Sequence, residues 1–538
     1  MDLATLNEIL ARTEETPLSP EDRETLQAAV DTLGILTQEL ERKNASIGRL
    51  RRLMFGDRTE KTSRIFGGAA APAGSGEAPG PTTEEEDQQP AGKPRKPGHG
   101  RNGSADYRGA VRIPVPHASL QRGQCCPGCE KGKVYPQQPK PLIRIKGMAP
   151  LAANVYEAER LRCNLCGEVF EAESPPGVGQ EKYDETAAAM VAMFKYGAGL
   201  PFNRLEKLQR DLGIPLPAAT QWELVASRAT LLKPAYGELT RQAAQGEVLH
   251  NDDTTMKILA LAGEHPRDTA DPEVSGERTG VFTSGIVAAS RGHRIALFFT
   301  GRKHAGENLA SVLSLRAAEL GPPIQMCDAL SRNLPAQFET ILGNCLAHGR
   351  RKFVEVADHF PEECRYVLET LRDVYKNDEW ARDRSMTPEE RLAFHQAKSG
   401  PLMAELEAWL REQIDEHKVE PNSGLGQAIT YMGNHWQALT LFLRVSGAPL
   451  DNNVAERALK KAILHRKNSY FYKTQNGARV GDIYMSLIHT AELAGAAAFE
   501  YLVALLHNAQ EVAASPADWM PWNYRDRVAT TEATGPPT

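Results

Sequence analysis

Short apolar segments rich in β-branched residues recur through the second half of the chain, separated by polar and glycine-containing turns. Segments of this kind predict strands, whereas apolar positions spaced three and four residues apart predict helices. From residue 247 onward the predicted order is strand, strand, strand, helix, strand, helix, strand, helix. The predicted strands are 248–250, 279–289, 294–300, 324–327 and 344–346, and the first predicted helix is 307–320. The pattern therefore predicts an α/β domain.

This order of elements is that of a ribonuclease H-like core, in which a carboxylate on the first strand and another just after the fourth lie side by side. Residues 247–354 form the first part of the predicted core. Residues 355–447 are mostly helical and highly charged, and we interpret them as an insertion. The core resumes over 448–512 with a helix at 452–466, and 513–538 form a C-terminal tail. The fold class predicted for the whole chain is multidomain α+β.

The chain before the core predicts several smaller modules. Residues 1–66 contain a helix with apolar residues at every seventh position, which indicates either a coiled coil or an amphipathic helix packed on its own chain. Residues 67–105, rich in Gly, Ala and Pro, predict a disordered linker. Residues 179–246 predict two helices with a glycine in the turn, the spacing of a helix-turn-helix domain. Its second helix would offer Thr220, Gln221 and Glu223 to a DNA groove.

Two Cys-x-x-Cys pairs bracket a small β-rich module predicted over 106–178, with short β-like stretches at 142–145 and 154–156. Four thiolates on two tight turns form the tetrahedral site that structural zinc prefers. In a large chain with no apolar leader, two such cysteine pairs favour a bound metal ion over disulfide bonds. We therefore predict a zinc ribbon, whose role in DNA binding, protein binding or stability alone stays open. Its ligands would be Cys126, Cys129, Cys163 and Cys166.

The composition adds few constraints. With 538 residues the chain is too long for a single core, which agrees with several domains. The apolar fraction of 41% and the charged fraction of 25% are ordinary for a soluble protein, and no apolar run is long enough to span a membrane. The net charge of −6 does not itself indicate a nucleic-acid partner, but local basic patches decide such binding.

Three acidic residues fall where the predicted core would hold metal ions. The first strand leads into Asp252, Asp328 follows the fourth, and Glu456 is on the last helix. Such carboxylates can hold two Mg²⁺ or Mn²⁺ ions, because these cations prefer hard oxygen ligands. Two ions about 4 Å apart can cut and rejoin a phosphodiester. Neighbouring residues of a strand face opposite sides, so Asp253 is not expected to share the site with Asp252.

Basic residues are dense around two of these positions, as a DNA substrate requires. Near Glu456 they are interleaved with the aromatic residues 470–472, which suits phosphate contacts and base stacking. His348 is predicted to contact a scissile phosphate or a flipped base, and the alternative is a structural histidine beside a packed Cys345. The predicted DNA contacts are His348, Arg350, Arg351, Lys352, Arg457, Lys460, Lys461, Arg466, Lys467, Lys473, Arg58 and Lys61.

Several of these segments resemble those of insertion sequence 66 family transposases, a branch of the DDE transposases with a ribonuclease H-like core. Asp253 stands where that family usually has Glu, and Leu346 where it has Trp. The segment 329–332 lacks the Gly-Tyr pattern of the family. The similar segments are 53–61, the two cysteine pairs, 249–254, 345–353, 450–459, 466–468 and 484–488.

The resemblance implies that Asp252, Asp328 and Glu456 form a DDE triad that cleaves DNA strands and transfers them to target DNA. It also implies that the N-terminal modules bind terminal inverted repeats. Because two ends must be joined, we expect a homodimer or higher synaptic assembly, with accessory proteins of the element as further partners. The expected protein is cytoplasmic, prokaryotic and nucleoid-associated, with no membrane partner. The alternatives are a structure-specific nuclease on the same core and a non-catalytic relative that only binds DNA.

Overall fold

A computed structural model describes residues 121–125, 133, 135, 150–157, 159–162, 169–173, 175, 181–262 and 280–534. The chain divides into two compact units. The sheet unit includes Leu239–Met256 and His265–Lys460, and the helical unit includes Pro72–Glu238, Lys257–Glu264 and Lys461–Thr538. The predicted N-terminal helix, the linker and the four cysteines of the predicted zinc ribbon lie outside the described residues.

The helical unit begins with a short antiparallel strand pair. Strands β1 (Arg160–Arg162) and β2 (Val169–Glu171) lie on either side of the second predicted cysteine pair in sequence. Residues 154–156, predicted as β-like, have no regular structure. Helix α1 (Glu185–Ala192) follows and continues directly into a π-helical turn over Met193–Gly197.

The two helices predicted over 179–246 are present as α2 (Phe202–Asp211) and α3 (Ala218–Ala244). Gln221 at the start of α3 is fully buried. Its Nε2 donates hydrogen bonds to the carbonyls of Phe202 and Leu216, at 3.1 and 2.9 Å. The prediction that Gln221 faces a DNA groove is therefore wrong, because its amide holds α3 against the preceding helix and turn.

The sheet unit is built on five strands in the order β5-β4-β3-β6-β7. Strands β3 (Val248–Thr255), β4 (Phe282–Ser290) and β5 (His293–Gly301) form an antiparallel meander. The hairpin between β4 and β5 turns at Arg291 and Gly292, whose φ values of 50° and 79° suit a tight turn between twisted strands. The predicted hairpin is confirmed.

The remaining two strands run parallel to β3. Helix α4 (Ala305–Leu313) leads to β6 (Ile324–Cys327), which has the bounds that the sequence predicts, and β7 (Ile341–Asn344) follows. The helix ends earlier than predicted. Beyond its end, the guanidinium of Arg316 donates to the carbonyls of Ala244 and Gly246, at 2.8 Å each.

Two predictions around β7 are wrong. The connection from β6 to β7 contains a 3₁₀ turn over Ser331–Asn333 in place of a helix. The fifth strand ends at Asn344, and Cys345 is the N-cap of helix α5 (Leu346–Val356). The chain therefore leaves the sheet one residue after β7, which sets the start of α5 close to the strand ends.

The segment 355–447, which we interpret as an insertion, is mostly helical. Its helices are α6 (Pro361–Asp383), α7 (Pro388–Lys398), α8 (Gly400–Asp415) and α9 (Gly424–Leu439). Apolar residues of α6, α8 and α9 form one buried cluster that also includes Phe353 of α5. Burial of this apolar surface is the main source of stability for such a layer of helices.

Helix α10 (Asn453–Ser469) confirms the helix predicted at 452–466 and carries Glu456. The chain ends in α11 (Gln475–Leu493), α12 (Ala498–His507), α13 (Ala509–Ala514) and α14 (Tyr524–Thr534), all in the helical unit. In the described part of the chain, no helix combines the length and the apolarity needed to cross a lipid bilayer.

Candidate active site

Asp252 and Asp328 belong to neighbouring parallel strands of the sheet unit. The pairing of β3 with β6 sets His250 opposite Met326. Asp252 and Asp328 are separated by the same number of residues as His250 and Met326. Asp328 directly follows Cys327, the last residue of β6. Extending the register by two residues therefore sets the two acids side by side. Burial, and then the charge of Asp328, raises the pKa of Asp252 to about 7.

Helix α10 covers the face of the sheet to which Asp252 points. Asp252 pairs with Gly285 on β4, and directly opposed residues share a face. A Cβ atom on Gly285 would lie 3.0 Å from Cδ2 of Leu459, so the absence of a side chain lets α10 approach. Glu456 precedes Leu459 by one helical turn and projects from the same side of α10. Its negative charge also acts to raise the pKa of Asp252.

Asn452 fixes the start of α10 against β3. The residue is fully buried, and its Nδ2 donates to the carbonyl of Asn251 at 3.0 Å. Its Oδ1 lies 3.1 Å from Nδ1 of His250, and its backbone N–H donates to Sγ of Cys345 at 3.2 Å. Burial lowers the pKa of His250 to about 4, so the ring is neutral and Nδ1–H is the donor. One buried amide thus joins the strand of Asp252 to the helix of Glu456.

Asn333 holds the carboxylate of Asp328 from the 3₁₀ turn that follows it. Its Nδ2 donates to Oδ1 of Asp328. Its carbonyl accepts from Nδ2 of Asn251 at 2.9 Å and from Nε2 of Gln325 at 2.7 Å. The hydroxyl of Thr340 donates to Oε1 of Gln325 at 2.9 Å. A buried polar network of this kind fixes the loop in one geometry.

Asp253 points to the opposite face of the sheet, as strand alternation predicts. Its carboxylate lies 2.8 Å from Nδ1 of His304 and 3.4 Å from Nη2 of Arg332, and its side chain is 1% exposed. Ser284, opposite Asp253 on β4, accepts a hydrogen bond from Asn308 of α4 at 2.8 Å. Asp253 therefore binds Arg332 and anchors the turn that holds Asp328, rather than facing the other acids.

Helix α5 brings His348 to the third acid. The backbone N–H of Leu346 donates to the carbonyl of Leu450 at 3.0 Å, which joins the start of α5 to the segment before α10. His348 Nε2 lies 3.7 Å from Oε1 of Glu456. Burial raises the pKa of Asp328, and the electrostatic interaction with His348 acts in the opposite direction and lowers it. His348 thus lies beside two of the three predicted acids.

The three acids have the chemistry expected of ligands for divalent cations. Oε1 of Glu456 is shielded from solvent and has no hydrogen-bond partner among the described residues. Burial raises the pKa values of Asp252 and Asp328, which means that their negative charge lacks full compensation. Carboxylate oxygens are the ligands that Mg²⁺ and Mn²⁺ prefer, so the residues present fit such ions.

The spacing of these ligands also bears on how many ions they suit. Within the described residues, the three side chains whose ligand atoms all lie within 4.8 Å of one another are Cys345, His348 and Glu456, not the three acids. Ligands that flank two ions about 4 Å apart span a wider distance than ligands of one ion.

The predicted DNA contacts differ in exposure. Arg350 is 9% exposed, so its side chain offers almost no surface for the predicted DNA contact. Nζ of Lys461 lies 2.7 Å from Oε1 of Glu492, so this charge is partly neutralised. His348, Arg351 and Arg466 are half-buried, and Arg58 and Lys61 lie outside the described residues. The exposed members are Lys352, Arg457, Lys460, Lys467 and Lys473.

Sequence reasoning missed the residues that support the acids. Asn333 and Gln325 have no local pattern that distinguishes them from ordinary loop and strand residues. Asn251 and Asn452 lie inside the segments that resemble a known family, and the available signal was an uncharged amide directly before Asp252 and another four residues before Glu456.

Comparisons with known proteins agree with this architecture. The sequence model described as Transposase IS66 family matches residues 181–480. Uncharacterized protein y4hP of Sinorhizobium fredii is 25% identical over 391 residues, covering 69% of this chain and 67% of the relative. Uncharacterized protein y4jD of the same organism is 26% identical over 382 residues, covering 68% and 71%. Because the family model spans more than half of the 538 residues, the chain belongs to the insertion sequence 66 family of transposases.

Proposed function

We propose that the sheet unit is a ribonuclease H-like catalytic core that cleaves DNA strands at transposon ends and joins them to target DNA. The observation that carries this proposal is the pairing of His250 on β3 with Met326 on β6. Asp252 and Asp328 each lie two residues beyond this pair, so the same register sets them side by side. Support comes from Glu456, whose helix is fixed to β3 by Asn452. The strand order β5-β4-β3-β6-β7, antiparallel on one side of β3 and parallel on the other, also favours this fold.

In this proposal Asp252, Asp328 and Glu456 would hold two Mg²⁺ or Mn²⁺ ions. The ions would supply activation of the attacking hydroxyl or water and stabilisation of the leaving oxygen. Asn333 keeps the carboxylate of Asp328 aimed into the site. Asp253 lies on the opposite face of the sheet and supports the site indirectly, because its ion pair with Arg332 anchors the turn that follows Asp328. Burial of the acids excludes water that would otherwise weaken their interaction with the ions.

The remaining modules are assigned to DNA recognition. The exposed Arg457 and Lys460 lie on the helix of Glu456 and would neutralise phosphates near the cut. The pair α2 and α3, the zinc ribbon of Cys126, Cys129, Cys163 and Cys166, and the basic segment with Arg58 and Lys61 would bind the terminal inverted repeats. Two ends must be processed together, so a dimer or larger synaptic assembly is part of the proposal. Light scattering after size exclusion should detect more than one chain per DNA complex.

The test is cleavage of a labelled duplex that carries the terminal repeats of the element, in Mg²⁺ or Mn²⁺. Wild type should nick at the repeat boundary, and Glu456→Gln should lose this nick because one ligand of the ions is gone. Glu355→Gln, the same substitution at an exposed position of α5, is the matched control and should cleave like wild type.

A second variant separates catalysis from binding. Asp328→Asn should abolish cleavage and retain binding to the terminal repeat, because the carboxylate acts on the ions and not on base recognition. Equal loss of binding and cleavage in Asp328→Asn would contradict the catalytic assignment. Tight binding without a cut by wild type would favour the non-catalytic alternative.

A further inference from the structure

Three side chains of different chemistry meet at the start of α5 and α10. Cys345, His348 and Glu456 each offer one ligand atom, and these atoms all lie within 4.8 Å of one another. His348 Nε2 and Glu456 Oε1 are 3.7 Å apart, close to the separation of two ligands bound to the same tetrahedral ion. All three belong to the sheet unit.

Two of these side chains have a buried polar atom without a hydrogen-bond partner. Among the described residues, Oε1 of Glu456 and Nδ1 of His348 have no hydrogen-bond partner although both atoms are shielded from solvent. Leaving such an atom unpaired costs roughly 1–3 kcal/mol. In native proteins an orphaned buried polar atom indicates an ion, a water molecule or a catalytic role. This observation is independent of the spacing of the ligand atoms.

Burial raises the pKa of the free Cys345 thiol to about 12, but two features would support the thiolate once a cation is bound. Cys345 is the N-cap of α5, where the exposed N–H groups and the helix dipole favour an anion. The backbone N–H of Asn452 also points at its sulfur, at 3.2 Å. The Cys345 side chain is fully buried, whereas those of His348 and Glu456 are 24% and 28% exposed.

We propose that Cys345, His348 and Glu456 form a binding site for a thiophilic divalent cation of the Zn²⁺ class. A sulfur, a nitrogen and an oxygen ligand match the preferences of Zn²⁺ and Co²⁺ and do not suit Mg²⁺. Three protein ligands leave a fourth position for water or a substrate oxygen. On binding, the Cys345 thiol gives its proton to the solvent and the thiolate takes its place as ligand.

This site has a regulatory consequence that rests on the proposed function. Glu456 is also assigned to the Mg²⁺ pair with Asp252 and Asp328, so the thiophilic cation competes for a shared ligand. Nitrogen and sulfur sites bind Zn²⁺ far more tightly than Mg²⁺ or Mn²⁺. Zn²⁺ therefore acts as an inhibitor of Mg²⁺-supported cleavage, and Cys345 is the residue that makes the enzyme sensitive to it.

The direct test uses Co²⁺ as a coloured probe for a metal–thiolate bond. Metal-free full-length protein is saturated with Co²⁺, and the near-ultraviolet thiolate-to-cobalt absorption of wild type is compared with that of Cys345→Ser. The difference spectrum cancels the contribution of the other cysteines. We expect Cys345→Ser to lose one thiolate–cobalt band, whereas Cys364→Ser, which removes a buried thiol of the insertion, should leave the spectrum unchanged.

A second variant guards against misfolding of Cys345→Ser. His348→Gln keeps the thiol and removes the nitrogen ligand, so it should weaken Co²⁺ binding at this site by roughly tenfold or more. Equal spectra for wild type, Cys345→Ser and His348→Gln would overturn the proposal. This readout does not depend on cleavage and stands even if the proposed function fails.

The inhibition arm compares the Zn²⁺ concentration that halves Mg²⁺-supported cleavage, each variant being normalised to its own zinc-free rate. Cys345→Ser should raise this concentration by roughly tenfold or more relative to Cys364→Ser. If Cys345→Ser loses the thiolate–cobalt band but keeps the half-inhibitory Zn²⁺ concentration of Cys364→Ser, then Zn²⁺ does not compete with Mg²⁺ for Glu456. Absence of cleavage by wild type would instead refute the proposed function and leave the cobalt result to decide the metal site.

Discussion

Nδ2 of Asn452 donates a hydrogen bond to the backbone carbonyl of Asn251, 3.0 Å away across two hundred residues of sequence. The acceptor belongs to the residue just before Asp252, and the donor lies four residues before Glu456. The relative positions of these two acids thus depend on one buried amide. Because the same side chain also accepts from Nδ1–H of His250, it cannot rotate without leaving polar groups unpaired.

Asn452→Ala should therefore reduce both stability and cleavage. The substitution leaves a carbonyl and an imidazole N–H buried without partners, at a cost of roughly 1–3 kcal/mol for each group. It also frees the start of α10, so the cleavage rate in saturating Mg²⁺ should fall further than affinity for end DNA. Thermal unfolding and single-turnover cleavage measure the two effects. Asn476→Ala, at an exposed position of α11, should change neither, and equal behaviour of the two variants would contradict this role of Asn452.

The strands and helices of the core could be predicted because their signals are local. The strand Ile324–Cys327 is a run of apolar and polar residues that fits a buried strand, and the structure has it with the same bounds. The acids Asp252 and Asp328 could be picked out because each follows or ends such a run. Their adjacency depends on the register of β3 with β6, which no single segment encodes.

Predictions failed where a polar residue finds a partner far along the chain. Arg350 and Gln221 have the side chains of surface residues, and sequence reasoning assigned both to DNA. In the structure both are buried, and the amide of Gln221 is satisfied by two backbone carbonyls. Likewise, nothing near Asp253 in sequence indicates its contact with Arg332. Such pairings follow from tertiary packing, so residue type and spacing alone could not predict them.

Asn333 offers a second test of how the acids are supported. Asn333→Asp sets a like charge against the carboxylate of Asp328 in place of a donor, which disfavours its ionised form. The Mg²⁺ concentration for half-maximal cleavage should rise by roughly 10–100-fold, the usual effect of losing a residue that orients a metal ligand. A Mg²⁺ titration of cleavage measures the shift.

Asp253→Asn should act in the same direction but more weakly, since it only loosens the turn through Arg332. Gln337→Ala, exposed in the same connection between β6 and β7, should leave the Mg²⁺ dependence unchanged. If Asn333→Asp titrates like Gln337→Ala, then Asp328 does not depend on this hydrogen bond or is not a ligand.

The insertion has a buried charge cluster centred on Asp378. Its Oδ1 accepts from Nη2 of Arg391 at 2.6 Å and lies 3.2 Å from Nε2 of His395. Burial alone would raise the pKa of Asp378, but His395 and Arg391 hold it below its ordinary value. Asp378→Ala leaves the half-buried Arg391 and the buried His395 without their carboxylate partner, and should lower the free energy of unfolding by about 1–3 kcal/mol.

Denaturant unfolding, monitored by amide exchange in α6 and α7, measures this loss. Asp373→Ala on the same helix is the matched control, because Asp373 is 44% exposed and its ion pairs are at the surface. That variant should lose no more than about 1 kcal/mol. A similar loss in both variants would show that burial of the Asp378 cluster adds nothing to stability.

In the helical unit, His465 gives a prediction for pH. Its ring is stacked on Tyr472 with centroids 4.5 Å apart, and burial, together with the charge of Lys195, lowers its pKa from 6.5 to about 3. Neither ring nitrogen has a hydrogen-bond partner among the described residues. Below pH 6.5 the unfolded chain binds a proton that the folded chain does not, so stability is lost as the pH falls towards 3.

His465→Phe removes the group that binds a proton only in the unfolded chain, and it keeps an aromatic ring stacked on Tyr472. The slope of unfolding free energy against pH between 6.5 and 4.5 should fall by up to about 1.4 kcal/mol per pH unit relative to wild type. Unfolding measured at a series of pH values gives both slopes, and His359→Gln, at an exposed histidine, should keep the wild-type slope. If His465→Phe also keeps that slope, the imidazole must be able to ionise in the folded protein, which its burial between Tyr196 and Tyr472 argues against.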